Sequence, residues 1–185
     1  MMKPVVRARY LAVWLCCVFA AIGADLLPVT HIPNFDRVND HIYRSGEPSV
    51  VGLQELGALG IKRVIDLREK SGATAFEKEA LEKLGIKYTN IPFAAFSAPS
   101  DQQIQSVLKL LTDNGPSSVL IHCRRGKDRT GTVIACYRIQ HDGWDNRRAL
   151  AEAKEHGMSR LERSMQTYIL RFTPVSLSVL GSPVH

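Results

Sequence analysis

Apolar and polar positions in this chain follow two alternating rhythms. Short apolar runs are separated by stretches in which apolar residues recur every three or four positions. "HIYRSG" (41–46) reads as a short strand ending in a turn at Gly46-Glu47-Pro48. Ser49 is placed to cap a helix with Val50, Leu53, Leu56 and Leu59 on one stripe, closed by Gly60. "IKRVIDL" (61–67) is the next strand, "ATAFEKEALEKLG" (73–85) the next helix and "IKYTNIPF" (86–93) the third strand. After the loop "AAFSAP", Ser100 and Gln103 have the spacing of a capping box. The helix beyond them carries Ile104, Val107, Leu108 and Leu111 toward a core. "SSVLIH" (117–122) is apolar almost throughout, as a strand buried on both faces is. A helix over about 129–140 follows, with one or two more between Asp145 and Arg171. Strands alternating with helices predict an α/β fold: a central, mostly parallel sheet of four to five strands flanked by helices.

The ends of the chain change this picture. Residues 1–24 begin with Lys3, Arg7 and Arg9, run apolar from Tyr10 to Ile22, and close on Gly23 and Ala24. That layout is a secretory signal peptide. Its apolar run is short of the roughly 20 residues a transmembrane helix needs, so an uncleaved membrane anchor is the alternative. The expected organisation is a signal peptide at 1–24, an extended lead at 25–34, one domain at 35–171 and a tail at 172–185 without a clear period.

Charge and cysteine content narrow the function. The net charge is +6, but residues 1–24 carry three cations and no acid, which leaves 21 cations against 18 acids. So small an excess does not point to nucleic acid. Removal of the leader also takes Cys16 and Cys17, and two cysteines, Cys123 and Cys136, build no disulfide framework. The six histidines are scattered without ligand spacing, so neither a metal nor another cofactor is expected, and a monomer is expected.

The chemistry concentrates in "VLIHCRRGKDRTG" (119–131), where a buried strand stops at His122 and Cys123 and four cations follow before the next helix. A strand–loop–helix crossing of this kind places the loop at the carboxyl end of the sheet, where ligands bind. Backbone N–H groups and the N-terminus of the following helix then converge on an anion of phosphate size. Gly126 permits the backbone such a cradle needs, and Arg129 offers a planar fork for two oxygens. The dipole, the amides and the cations together would draw the Cys123 pKa below the usual value of about 8.5 and make it a nucleophile. A buried, inert cysteine would leave these charges unexplained. His122 either orders the loop or is a satisfied strand-end residue. Lys127 reads as a contact for a substrate anion, while Arg124 and Arg125 are either further anion contacts or solvated loop charges. Cys136, about 10 Å along a regular helix from Thr130 at 1.5 Å per residue, is too far for a disulfide with Cys123 and reads as a small core residue.

"HCRRGKDRTG" resembles the signature of cysteine-dependent phosphatases: His-Cys, five residues, Arg, then Ser or Thr and Gly. "FDRVNDHIYRSGEPS" (35–49) and "GIKRVIDLRE" (60–69) resemble the start of the compact atypical dual-specificity phosphatases of plants and fungi and their bacterial relatives. The resemblance covers residues 35 to 170. It implies the cysteine-phosphatase fold, a phosphocysteine intermediate on Cys123, Arg129 binding the phosphoryl oxygens, and Thr130 stabilising the departing thiolate. The general acid is less settled. Many dual-specificity enzymes take an aspartate from a loop upstream of the cysteine, where this chain has Ile91 and Pro92. Asp101 is the nearest substitute, although an acid in a first helical turn is favoured by the dipole alone. Asp128 is preferred, because "GKDRTG" is similar to loops of myotubularins and of secreted bacterial tyrosine and lipid phosphatases with an acid at this place. Asp66, on a strand, reads as structural.

The reading is thus an exported phosphatase, periplasmic or secreted, that contacts a membrane only if its leader is uncleaved. Protein phosphotyrosine is the default substrate, and a phosphoinositide or inositol polyphosphate is the alternative suggested by the additional loop cations. A reading of another class is a phosphate-binding module without turnover.

Overall fold

The computed structural model describes residues 30–113, 115 and 117–175. The signal peptide expected at 1–24 and the tail beyond Val175 lie outside the described residues.

Burial on both faces is what the strand sequences demand, and the architecture supplies it. Five strands, β1 (Asp36–Arg37), β2 (Ile42–Ser45), β3 (Ile61–Asp66), β4 (Lys87–Asn90) and β5 (Ser118–His122), form one sheet in the order β1-β2-β5-β3-β4. Only β1 runs antiparallel to its neighbour. Six helices cover the sheet: α1 (Val50–Ala58), α2 (Gly72–Lys83), α3 (Asp101–Thr112), α4 (Asp128–Gln140), α5 (Asn146–Glu155) and α6 (Arg163–Arg171). This is the mostly parallel α/β fold expected from the pattern.

On one face Leu53 and Leu56 of α1 and Leu81 of α2 pack with Val64 and Leu120. On the other, Ile104 and Val107 of α3, Val133 and Ile134 of α4 and Ile169 of α6 pack with Ile65, Val119 and Ile121. Successive residues of β5 therefore feed opposite cores, which is why that strand is apolar without alternation. A register shift between Ile61 and Arg63 in the β3–β5 pairing returns Ile61 to the same face as Val64.

α4 is buried around nearly its whole circumference, from Asp128 to Ile139. Gly131 lets α5 approach it: a Cβ there would stand 3.4 Å from Ala153 Cβ and 3.3 Å from Met158 Cε. The capping box at α3 forms as expected, with Ser100 N–H donating to Gln103 Oε1 at 2.8 Å and Gln103 N–H to Ser100 Oγ at 3.2 Å.

Three details depart from the sequence reading. Val50 is 62% exposed, so the stripe of α1 reduces to Leu53 and Leu56, with Leu59 half-buried at the cap. The strand expected over 86–93 is regular only at Lys87–Asn90, although the Ile91 and Phe93 N–H groups still donate to the Asp66 and Leu67 carbonyls at 3.0 and 3.1 Å and the Phe93 side chain fills the core under the site. The lead is not merely extended. Ile32 is buried among α1 and α2 residues, and the chain turns at Asn34 (φ 52°) into β1. Among the described residues no helix is long and apolar enough to cross a membrane.

Candidate active site

The loop from Cys123 to Arg129 hangs between the carboxyl end of β5 and the start of α4, and its conformation is imposed by neighbours that seize its carbonyl groups. Glu47 N–H donates to the Arg124 carbonyl at 3.2 Å. The Gly126 carbonyl accepts from Asn34 Nδ2 at 2.9 Å and from Arg44 Nη2 at 3.1 Å. With these carbonyls held from outside, the N–H groups of Arg125 and Thr130 are free to face the Cys123 sulfur. Gly126 has φ 70°, and a Cβ there would fall 2.4 Å from the backbone of Ser45 and Gly46. No other residue fits that turn. Arg44, 1% exposed, lies beneath the loop as a buried cation.

Cys123 is 2% exposed, and burial by itself pushes its thiol up. The Thr130 hydroxyl, the N–H groups of Thr130 and Arg125 and the Arg129 charge together outweigh that effect and hold the Cys123 pKa below the usual thiol value. The buried Thr130 hydroxyl has no oxygen or nitrogen partner among the described residues, which leaves it for the sulfur. Cys136 behaves oppositely: burial pushes its thiol up with no compensating donor, and both cysteines are free. It is the core residue expected.

His122 is fully buried and faces away from the cavity, with Nε2 3.0 Å from Glu77 Oε1 and 3.9 Å from Asp66 Oδ1. Burial disfavours its charge, but the two carboxylates prevail and raise its pKa. Arg68 ties the cluster together, bonded to Asp66, Glu77 and Glu47, while Tyr88 Oη donates to Asp66 at 2.7 Å. Asp66, Glu77 and His122 bring their ligand atoms within 4.8 Å of one another, a spacing that would suit a metal. The Arg68 guanidinium already supplies the cation there. The network instead fastens α2 to the ends of β3 and β5, beside the nucleophile.

Above the loop opens a cavity of about 510 Å³ lined by Ala95, Phe96, Cys123, Arg124, Arg125, Asp128, Arg129, Glu162 and Met165. Arg129 Nη1 is steadied by the carbonyls of Leu67 and Phe93, each at 3.3 Å. Asp128 lies on the wall and is doubly held. Arg125 Nη2 donates to it at 2.9 Å and Ser159 N–H at 2.8 Å. Two expected contacts are not brought to the cavity. Asp101 accepts from Tyr168 Oη at 2.7 Å and lines a separate cavity with Gln105 and Arg171. Lys127 lies along Gly157, where a Cβ would be 3.1 Å from its Cδ and Cε. Sequence reasoning missed Glu162, Phe96, Asn34 and Arg44. Only Asn34 carried a signal, an asparagine in the turn-forming stretch "PNFD", since asparagine tolerates positive φ.

The arrangement provides an activated thiolate below a cradle of N–H groups, a guanidinium beside it and carboxyl groups on the wall. That is equipment for attack on a bound phosphoryl group.

The chain is similar to known proteins. A family model described as the DSP-PTPase phosphatase fused to NAD+ kinase matches residues 28–169. Inositol diphosphatase DSP4 of Arabidopsis thaliana is 30% identical over 164 residues, covering 78% of each chain. Dual specificity protein phosphatase TpbA of Pseudomonas aeruginosa is 31% identical over 127 residues, 67% of this chain and 55% of that protein. The TpbA crystal structure superposes with a TM-score of 0.64 over 74% of this chain and 83% of that one, at 28% identity. TpbA has also been solved in complex with phosphotyrosine. The catalytic core of the PP-IP phosphatase SIW14 of S. cerevisiae superposes with a TM-score of 0.66 over 80% and 91%, at 26% identity. The chain spans between 49% and 85% of the lengths of such curated relatives.

Proposed function

Since the chain belongs to the DSP-PTPase family of cysteine-dependent phosphatases, we propose that it hydrolyses phosphate monoesters through a phosphocysteine on Cys123, with protein phosphotyrosine as its default substrate. The observation that carries this reading is the stabilised Cys123 thiolate at the floor of the cavity that Arg129 lines. Sγ attacks phosphorus, and the ester P–O bond breaks as the S–P bond forms. A carboxylic acid of the cavity wall protonates the leaving oxygen. Arg129 and the loop amides hold the phosphoryl oxygens throughout, where developing charge is greatest. Water then attacks phosphorus, the S–P bond breaks, and Thr130 stabilises the thiolate as it is released.

Arg124 and Arg125, both exposed at the mouth, favour a second reading in which a phosphoinositide or inositol polyphosphate is preferred. A basic mouth raises capture of polyanions. Relatives of both kinds, TpbA and the inositol diphosphatases, support carrying both substrates forward. The proposal needs neither metal nor other cofactor. Purified protein given phosphotyrosine, phosphoserine, phosphoinositide and inositol phosphate substrates in the presence of a chelator should turn over at least one class. Binding without turnover throughout would favour a binding module.

Export to the periplasm or the medium belongs to the same proposal and rests on the layout of residues 1–24. Sequencing the N-terminus of protein recovered from cells should find a start near residue 25. Recovery of the intact leader in the membrane fraction would favour the anchored form.

A further inference from the structure

Resting on the phosphocysteine reading, we propose that Glu162 is the proton carrier of the reaction and that Asp128, the acid preferred from sequence, is a positioning residue. Both carboxyl groups line the Cys123 cavity, so both are placed to face a leaving group. Their surroundings separate them. The Asp128 oxygens are each committed, Oδ1 to Ser159 N–H at 2.8 Å and Oδ2 to Arg125 Nη2 at 2.9 Å. A carboxyl group held in two directions has little freedom to follow a leaving oxygen.

Glu162 stands at the start of α6 and is 5% exposed. Among the described residues its carboxyl group accepts no hydrogen bond and forms no ion pair, and it does not cap the helix it begins. Burial, and then the negative charge of Asp128, push its pKa above the ordinary carboxyl value. The Arg125 and Arg129 charges that face it pull the other way without prevailing. Of the two neighbouring carboxyl groups, only that of Glu162 is left without a partner among the described residues. Buried on the cavity wall with no partner to hold it, Glu162 is the group placed to carry a proton to a leaving oxygen.

The step balances. As Cys123 Sγ forms the S–P bond and the ester P–O bond breaks, the Glu162 proton moves to the departing oxygen, and an alcohol or phenol leaves. The Glu162 carboxylate then takes a proton from the water that attacks phosphorus, the S–P bond breaks, and phosphate and thiolate are restored together with the acid.

Glu162→Gln and Asp128→Asn test the division, each compared with the parent on phenyl phosphate, a poor leaving group, and p-nitrophenyl phosphate, a good one. For Glu162→Gln, kcat/KM on phenyl phosphate should fall by about 10²–10⁴, with a far smaller loss on p-nitrophenyl phosphate. The alkaline limb of the pH profile should flatten, because the group whose deprotonation ends activity is gone. Glu162→Asp should recover part of the loss. Glu162→Gln should melt like the parent, since no bond is broken, whereas Asp128→Asn should melt lower and lose similar activity on both esters. The leaving-group dependence appearing in Asp128→Asn and not in Glu162→Gln would overturn the proposal, as would equal losses on both esters in Glu162→Gln. Failure of the underlying reading looks different: the parent would then be inert on both esters, or Cys123→Ser would remain active.

Discussion

Cys123 shows how two opposing effects are settled at one atom. Burial alone would make it as inert as Cys136, yet the hydroxyl and N–H of Thr130, the N–H of Arg125 and the Arg129 charge reverse the direction. The consequence is measurable as reactivity. Alkylation of Cys123 by iodoacetate should stay fast as pH is lowered below the usual thiol pKa, because the thiolate persists there, and Thr130→Ala should move the inflection upward. An inflection at the ordinary thiol value in the parent would mean the sulfur is not activated. Cys123→Ser removes the nucleophile and nothing else, so turnover should vanish while phosphate still binds by calorimetry and the melting temperature is kept.

At the scale of elements, the site depends on a loop whose shape is fixed by parts far apart in sequence: the Asn34 turn, the end of β2 and the start of α4. Gly126→Ala collides with Ser45 and Gly46 at a positive φ and should cost more than about 1 kcal/mol. Chemical denaturation should show that loss, and activity should fall with it. Below the loop, His122 and Glu77 give stability a pH signature. The folded pKa of His122 is raised above 6.5, so its contribution is complete below that unfolded value and is lost as pH rises through the folded one. Glu77→Gln should remove this decline and lower stability by about 3–5 kcal/mol, as the loss of one partner from a buried ion pair does. Unfolding curves across that pH range decide it; a parent whose stability does not fall with rising pH would contradict the assignment. The elements themselves were legible wherever one physical signal dominated. The caps at Ser49 and Ser100, the apolar β5 and the stripe of α3 all form as read. Strand β1 was not legible, because two exposed residues at a sheet edge carry no hydrophobic pattern. Nor was Val50, whose period matched a helix face that the fold turns to solvent.

Across the whole molecule, the site is asymmetric in a way the sequence only partly revealed. Cys123, Arg129 and Thr130 follow from one contiguous motif, and the structure gathers them as expected. Lys127 belongs to the same stretch, yet the turn at Gly126 sends it over Gly157. Glu162 arrives from the start of α6, distant from the motif in sequence, with nothing local to mark it. The different placement of the loop cations gives a specificity test. Arg124→Ala should reduce kcat/KM on an inositol polyphosphate more than on phosphotyrosine, and salt should erode the same preference by screening. Lys127→Ala, away from the cavity, should change the ratio little. Equal losses on both substrates in Arg124→Ala would leave a plain tyrosine or dual-specificity phosphatase. The expectations about activity presuppose a covalent step at one sulfur, and that step can be caught. Protein mixed with labelled phosphotyrosine substrate, quenched within one turnover and digested should carry the phosphoryl label on the peptide containing Cys123. A single turnover that releases phosphate with no label on that peptide would contradict the account.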